Sequence, residues 1–293
     1  MDKKILAIGE LLIDGITDSP VEDLSQATAL KLYPGGSPGN FSRYLHRLGI
    51  PVRLVATVGQ DGFGKILLQR VQEEGIDIAG IHQSKRYHTS FIAVARTSHT
   101  PDFIAYRDAD MHIGKVNESL IGASSLVHTT AFALSRDPAR KNILQALETA
   151  SQQGIPVSVD WNYATPIWGT ENESAQVFAK LQQFRPLFKF SLDDVERFTG
   201  RKTIAEACDW LDSIESTCIC LTCGSQGVYY RSMDTSWQFQ PAEKIEVKNA
   251  TGAGDAFWAG FISTYAEHFF LEYAVTKGIR VASMQLQNKW QTV

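Results

Sequence analysis

Long apolar runs are missing from this sequence. Nowhere do its 293 residues string together the roughly 20 apolar positions that a membrane-spanning helix needs, so no membrane role is expected. An excess of positive charge is missing too. Against 28 Lys and Arg stand 32 Asp and Glu, a formal net charge of −4, and the basic residues are scattered. This excludes the basic stripe with which a protein holds a nucleic acid backbone, and a small-molecule partner is expected instead. The N-terminus, Met1-Asp2-Lys3-Lys4, leads straight into an apolar strand without a small-residue cleavage site, so the expected location is cytoplasmic.

Cysteine is sparse. The four are Cys208, Cys218, Cys220 and Cys223, and the run Cys218-Ile-Cys220-Leu-Thr-Cys223 invites a zinc reading. No histidine adjoins it, and its thiols spread over different faces of a strand, so they read as small hydrophobes of a buried strand. What is present is ample apolar material, 44% hydrophobic against 20% charged residues, enough for a large buried core.

Apolar β-type runs recur at Ile5–Ile8, Val52–Val58, Ser125–His128, Ile155–Val159, Leu187–Phe190 and Thr217–Thr222. Helical patterns fall between them: Phe41, Tyr44, Leu45 and Leu48 stand at i, i+3, i+4 and i+7, and similar sets lie in 63–74, 139–150, 256–266 and 271–284. This alternation predicts an α/β fold with a mainly parallel sheet covered by helices on both faces. Residues 15–33 and 88–110 break the rhythm. There Thr89–Arg96 and Asp102–Arg107 predict a hairpin, and with it an extra small sheet on a single domain spanning 1–293.

Three glycine clusters could carry chemistry. Gly59-Gln-Asp-Gly-Phe-Gly64-Lys65 fits most of a P-loop, but Ile66 replaces the Ser or Thr that would bind Mg²⁺, so it reads as a turn before an amphipathic helix. The second cluster, Thr251-Gly252-Ala253-Gly254-Asp255, opens a helix after a predicted strand Ile245–Lys248. Its small residues let an anion approach the free N–H groups and the positive end of the helix dipole. Asp255 beside that anion hole suits a base that takes a proton from an attacking alcohol, or else an ordinary complement to the helix dipole. The third, Pro34-Gly35-Gly36-Ser37-Pro38-Gly39-Asn40, precedes another amphipathic helix, where backbone amides, Asn40 and the nearby Asp14 could hold sugar hydroxyls or serve as turn residues.

Taken together, Gly35-Gly36-Ser-Pro38-x-Asn40-x-Ser42 and, over two hundred residues later, Thr251-Gly252-Ala253-Gly254-Asp255 resemble the two signatures of the ribokinase-like (PfkB) carbohydrate kinases, and the resemblance runs essentially end to end. It implies a three-layer α/β/α sandwich with a small β-lid, formed here by about 15–33 and 88–110, which in relatives closes the sugar site and often forms a homodimer interface. It implies transfer of the γ-phosphoryl group of ATP to a sugar hydroxyl with the help of Mg²⁺. Asp255 would then be the base and Gly252, Ala253 and Gly254 the anion hole. Asp14, Gly35, Gly36, Asn40 and Arg107 would bind the sugar. Thr222, Gly224 and Gly227, with Asn162 and Ser191, would line the nucleotide, and Asp194 would organise the metal through water.

The segments Gly9-Glu-Leu-Leu-Ile-Asp14 and Tyr106-Arg107-Asp-Ala-Asp110-Met111 look like the fructokinase branch, with 2-keto-3-deoxygluconate kinases close by and other sugar or nucleoside kinases beyond. Ala164 stands where ketodeoxygluconate kinases commonly have an arginine, which favours a neutral ketohexose over an acid sugar. Ser191-Leu-Asp-Asp194 replaces the family's N-x-x-E, Asn249-Ala250 replaces Asp-Thr, and relatives commonly continue beyond the end of this chain. The alternative of another class is a catalytically weakened sugar-binding or regulatory protein on the same fold.

Overall fold

Strand β1 (Lys4–Ile8) shows the building rule in five residues. Ile5 and Ala7 face one core, Leu6 and Ile8 face another, and all four are buried. A strand alternates its side chains between two faces, so one that is apolar on both must lie inside a sheet covered on both sides. The computed structural model describes residues 3–97, 102–265 and 270–290. After β1 the chain leaves the main layer for β2 (Leu12–Thr17) and β3 (Leu30–Gly35), then returns through α1 (Ser37–Arg47), β4 (Val52–Gly59), α2 (Gly62–Glu73) and β5 (Ile81–Ser84). A second excursion forms β6 (Phe91–Val94) and β7 (Phe103–Tyr106). The regular alternation then resumes with α3 (Glu118–Gly122), β8 (Ser124–Thr130), α4 (Ala139–Gln152), β9 (Val157–Asp160), α5 (Glu171–Gln182) and β10 (Leu187–Ser191). Two helices, α6 (Leu192–Thr199) and α7 (Ile204–Leu211), lead to β11 (Cys218–Thr222), and β12 (Gly227–Ser232), β13 (Gln238–Pro241), α8 (Ala253–Tyr265) and α9 (Leu271–Leu286) complete the order.

The main sheet runs β13-β12-β11-β10-β9-β8-β1-β4-β5. It is parallel from β5 to β11, and β12 and β13 add an antiparallel edge. One core holds side chains of α1, α2, α8 and α9; the other holds those of α4, α5 and the α6–α7 pair. Phe41, Trp258 and Phe261 anchor the first, and Trp161, Phe188 and Phe190 the second; each such burial contributes roughly 1.5–3 kcal/mol. The expected ribokinase-like architecture, a mostly parallel sheet between helices plus a small separate sheet, is what the chain forms.

That smaller sheet runs β3-β2-β6-β7, and the expected hairpin is its antiparallel β6–β7 pair. Residues 98–101, within the expected lid segment, and residue 266, at the end of an expected helical pattern, lie outside the described residues. Two expectations are corrected. Residues 245–248 are not a strand: the segment is exposed and lacks a sheet neighbour, and the Lys248 and Asn249 amides instead donate to the Leu286 carbonyl at the end of α9. The thiols are less dispersed than expected, since Cys218 and Cys220 share the core face opposite Ile219 and Leu221. The P-loop-like turn satisfies itself. Asp61 caps α2 by accepting from the Gly64 amide at 2.8 Å and also accepts from the Thr89 amide and hydroxyl, so the turn is closed by a carboxylate where a phosphate would need to sit. No helix among the described residues is long and apolar enough to cross a membrane.

Candidate active site

The chain starts in the middle of the sheet, builds outward through β4 and β5, then jumps back past β1 to build outward the other way from β8. Such a reversal opens a crevice at the carboxyl ends of parallel strands. The end residues of the strands on that edge include Asp160 of β9, Ser191 of β10 and Thr222 of β11.

Two glycine turns bring helix N-termini to the crevice. Gly36, at φ 99°, precedes α1, and a Cβ there would stand 2.4 Å from the Glu10 carbonyl oxygen. Gly252, at φ 74°, precedes α8; left-handed backbone of this kind is cheap only for glycine. The first helical bond of α8 runs from the Ala256 amide to the Gly252 carbonyl. The Gly254 and Asp255 amides precede it, whereas the Ala253 amide turns back to the Ala250 carbonyl at 3.3 Å.

Asp255 is the junction. It sits half-buried in the first turn of α8 and accepts from Ser37 Oγ at 2.5 Å and from Asn40 Nδ2 at 2.9 Å, both on α1. Burial, reinforced by the charge of Asp160, pushes its carboxyl up to about 6 against the Ser37, Asn40 and Lys189 contributions. Asp14 belongs to the small sheet, on β2, opposite Tyr33 of β3 and Ile92 of β6. A Cβ on Gly35 would fall 2.1 Å from its Oδ2, so glycine makes room for the carboxylate. Burial and the charge of Asp255 raise Asp14 to about 7.

On the other side of Asp255 lies a cavity of about 1420 Å³ lined by Asn162, Ser191, Asp194, Thr222, Gly224 and Gly227, and also by Gly252, Ala253, Gly254 and Asp255 itself. One concave site therefore gathers the expected nucleotide, metal and catalytic positions. Asn162 accepts from the Phe132 amide at 3.2 Å, and Thr222 donates to the Phe190 carbonyl at 3.2 Å. Asp194 forms a capping box with Ser191 on α6, accepting from the Ser191 amide and hydroxyl at 2.8 and 2.6 Å. Its carboxyl, pushed up to about 6 chiefly by burial, also faces Arg197 at 3.5 Å. Ser191 thus occupies Oδ2 while Oδ1 faces Arg197, which leaves Asp194 suited to a cation's bound water rather than to direct coordination by both oxygens. Arg107 is held by its own partners. It donates from Nε and Nη2 to Asp110 at 2.9 and 2.6 Å, from Nη1 to Ser135, and from Nη2 to the Phe132 carbonyl. One of its five N–H groups remains.

Four further residues escaped the sequence reading. Lys189 of β10 stands in register with Asp160 of β9 and donates to both its carboxylate oxygens at 2.9 Å, with side chains only 6% and 2% exposed. Burial alone would discharge the ammonium, but Asp160, Asp194 and Asp255 together hold Lys189 above the usual lysine range. A Cβ on Gly254 would lie 3.0 Å from its Nζ, so this charge sits directly beneath the α8 turn. The signal was a lysine inside the apolar run Leu187–Phe190, since a buried charge must be paired. Glu10, also buried, accepts from the Ser37 amide at 3.1 Å and the Thr130 hydroxyl at 2.9 Å, and burial pushes it up to about 8. Ser37 is the fourth, and nothing local in the sequence marks it as a partner of Asp255.

The profile of the pfkB family carbohydrate kinases matches residues 2–291. The chain is 32% identical over 290 residues to an ATP-dependent 6-phosphofructokinase of Thermoanaerobacterium thermosaccharolyticum, covering 98% of this chain and 89% of that one. It is 28% identical over 261 residues to fructokinase-1 of Oryza sativa subsp. japonica, covering 86% and 80%. The solved fructokinase of Halothermothrix orenii superposes with a TM-score of 0.84 at 30% identity, covering 94% of this chain and 97% of that one. With both glycine turns and a carboxylate assembled at the sheet edge, and with the match extending over nearly every residue, this chain belongs to the pfkB family of carbohydrate kinases.

Proposed function

We propose that the protein is an ATP-dependent sugar kinase whose acceptor is a neutral ketohexose, fructose in first place. The observation that carries this reading is the position of Asp255, at the start of α8 between the large cavity and the α1 turn that holds Asn40. ATP occupies the cavity, its phosphates towards Gly252 and Gly254, with Thr222, Gly224, Gly227, Asn162 and Ser191 on the nucleotide side. The sugar lies against Asp14, Gly35, Gly36 and Asn40. Asp255 takes the proton of the attacking hydroxyl as its oxygen bonds to the γ-phosphorus and the bond from that phosphorus to the ADP oxygen breaks, while the α8 amides and the Lys189 ammonium stabilise the charge that gathers on the transferred group. Asp194 would hold Mg²⁺ through water, and the ion would supply charge neutralisation to the ATP phosphates.

The small sheet serves as the lid. Register places Asp14, Tyr33 and Ile92 on one face and Leu30, Leu32, Ile104 and Tyr106 on the other. The latter four are exposed, an apolar face that suits the lid of a second copy in a homodimer. Arg107 contacts the acceptor only with its one remaining N–H, and Ala164 contributes no charge, so an acid sugar such as 2-keto-3-deoxygluconate finds little cationic support. The free thiols and the need for ATP both suit the cytoplasm.

The 6-phosphofructokinase relative favours a second reading, in which the acceptor is fructose 6-phosphate. ADP release measured over fructose, fructose 6-phosphate, glucose, ribose, nucleosides and ketodeoxygluconate separates these. Fructose is expected to have the highest kcat/KM, at least tenfold above the rest. A lead for fructose 6-phosphate establishes the second reading, and no acceptor-dependent ADP release would leave a sugar-binding or regulatory protein.

A further inference from the structure

The base is held by a residue outside the sugar and nucleotide positions. Ser37 is the first residue of α1, and its main-chain and side-chain groups point to different carboxylates. Its amide donates to Glu10 Oε1 at 3.1 Å, and Glu10 is itself fixed through Oε2 by Thr130 of β8. Its hydroxyl donates to Asp255 Oδ1 at 2.5 Å, across 218 positions of sequence, while Asn40 donates to Oδ2 at 2.9 Å. One donor on each oxygen fixes both the rotation and the plane of the carboxylate, and each oxygen retains a lone pair for a reacting hydroxyl.

We propose that Ser37 is a positioning residue for the general base: anchored by Glu10 and Thr130, it orients the Asp255 carboxylate and stabilises its charged form. The proposal rests on Asp255 being that base. Four other groups face this carboxylate from the elements around it, namely Asp14 from β2, Tyr44 from α1, Asp160 from β9 and Lys189 from β10. Asp14 and Asp160 oppose a negative charge there and Lys189 favours it, while the phenol of Tyr44 is neutral. Burial also opposes the charge. The Ser37 and Asn40 donors therefore work with Lys189 to keep the base deprotonated in a crowded acidic site, and charge-assisted hydrogen bonds of this length are the stronger kind.

The consequence is a pH signature rather than a loss of fold. Ser37→Ala leaves the amide bond to Glu10 in place and puts the best helix former at the start of α1. With the hydroxyl gone, the Asp255 carboxyl rises, and the acidic limb of kcat/KM for the acceptor sugar moves about one unit to higher pH. Activity on the acid side of the limb falls about tenfold, whereas the loss at pH 8.5 is threefold or less. Ser37→Thr keeps a hydroxyl and restores the wild-type limb.

The experiment is a set of full pH profiles of kcat/KM for the wild type, Ser37→Ala, Ser37→Thr and Asp255→Asn, with circular dichroism melts of each. A shifted limb in Ser37→Ala, restored in Ser37→Thr, supports the proposal. Coincident profiles for the wild type and Ser37→Ala, with Asp255→Asn inactive, overturn it while leaving the kinase reading intact. If Asp255→Asn keeps the wild-type rate, Asp255 is not the base, and the proposal falls with that assignment while the kinase activity itself stands.

Discussion

Replacing Lys189 by methionine leaves the chain length of the side chain nearly unchanged but removes the buried cation that faces Asp160, Asp194 and Asp255. Asp160, only 2% exposed, then loses the two 2.9 Å bonds that satisfied it and the charge that opposed the effect of its burial. Breaking a buried pair from one side costs roughly 3–5 kcal/mol. At roughly 2.1 cal/mol/K of unfolding entropy per residue, a chain of 293 residues has about 0.6 kcal/mol/K in total, so Tm should fall by about 5–8 °C. At Asp255 the attraction of the Lys189 charge disappears, while burial still opposes ionisation of the carboxyl. The base protonates at higher pH, and the acidic limb of kcat/KM moves up with it. The KM for ATP should rise as well, because the charge beneath the Gly254 turn is gone. Combining Lys189→Met with Asp160→Asn removes both charges. It should recover most of the Tm, to within about 2 °C, because a buried pair contributes little beyond its own desolvation, yet it should not recover the ATP affinity. Calorimetric melts and pH-resolved initial rates read all three effects. A Lys189→Met protein that melts within 1 °C of the wild type, with an unmoved acidic limb, would refute the buried-charge account of the site.

Asp255→Asn should lower kcat by about 10²–10⁴-fold, the range for loss of a positioned base, with sugar affinity by calorimetry nearly unchanged. Asp14→Ala should raise the sugar dissociation constant by about tenfold to a hundredfold, from hydrogen bonds of roughly 1.5–3 kcal/mol to a charged acceptor, while ATP affinity stays constant. Glu10, held up to about 8 by burial, binds its proton more tightly folded than unfolded, so it costs stability as pH rises from about 4.5 towards 8. Glu10→Gln should therefore flatten the decline of Tm between pH 5 and 8.5, and melts across that range check it. Leu32→Glu combined with Tyr106→Glu on the exposed apolar face of the small sheet should turn the homodimer proposed for the wild type into a monomer in sedimentation, with the fold intact by circular dichroism.

Six strands of the main sheet were legible because buried parallel strands are written as continuous apolar runs, as in Leu187-Phe-Lys-Phe190. The edge was not. Strand β13, Gln238–Pro241, is mostly exposed and has no period-2 burial to advertise it, while Ile245–Lys248 has β-type residues and no neighbour to pair with. Most of the β2–β3 pair hid in a segment whose 18–29 stretch carries no periodicity. The glycine turns and Asp255 were legible because their chemistry is local. The Lys189–Asp160 pair and the Ser37–Asp255 bond were not, because each depends on placement: the first on β9–β10 register, the second on α1 meeting α8 across 218 residues.

That last distance has a consequence for synthesis. The helices α8 and α9 come after every strand of the main sheet, and they supply Trp258, Phe261, Val275 and Val281 to the core that also covers Ile5, Ala7, Phe41 and Leu45. A ribosome-bound chain that has emerged only as far as β13 leaves that face of β1 and α1 wet and has no residue 255. Such a chain exposes apolar surface that the finished protein buries. The segment made after the sheet both closes this core and brings Asp255, the proposed base, to Ser37 and Asn40, so on this reading phosphoryl transfer waits for the closure.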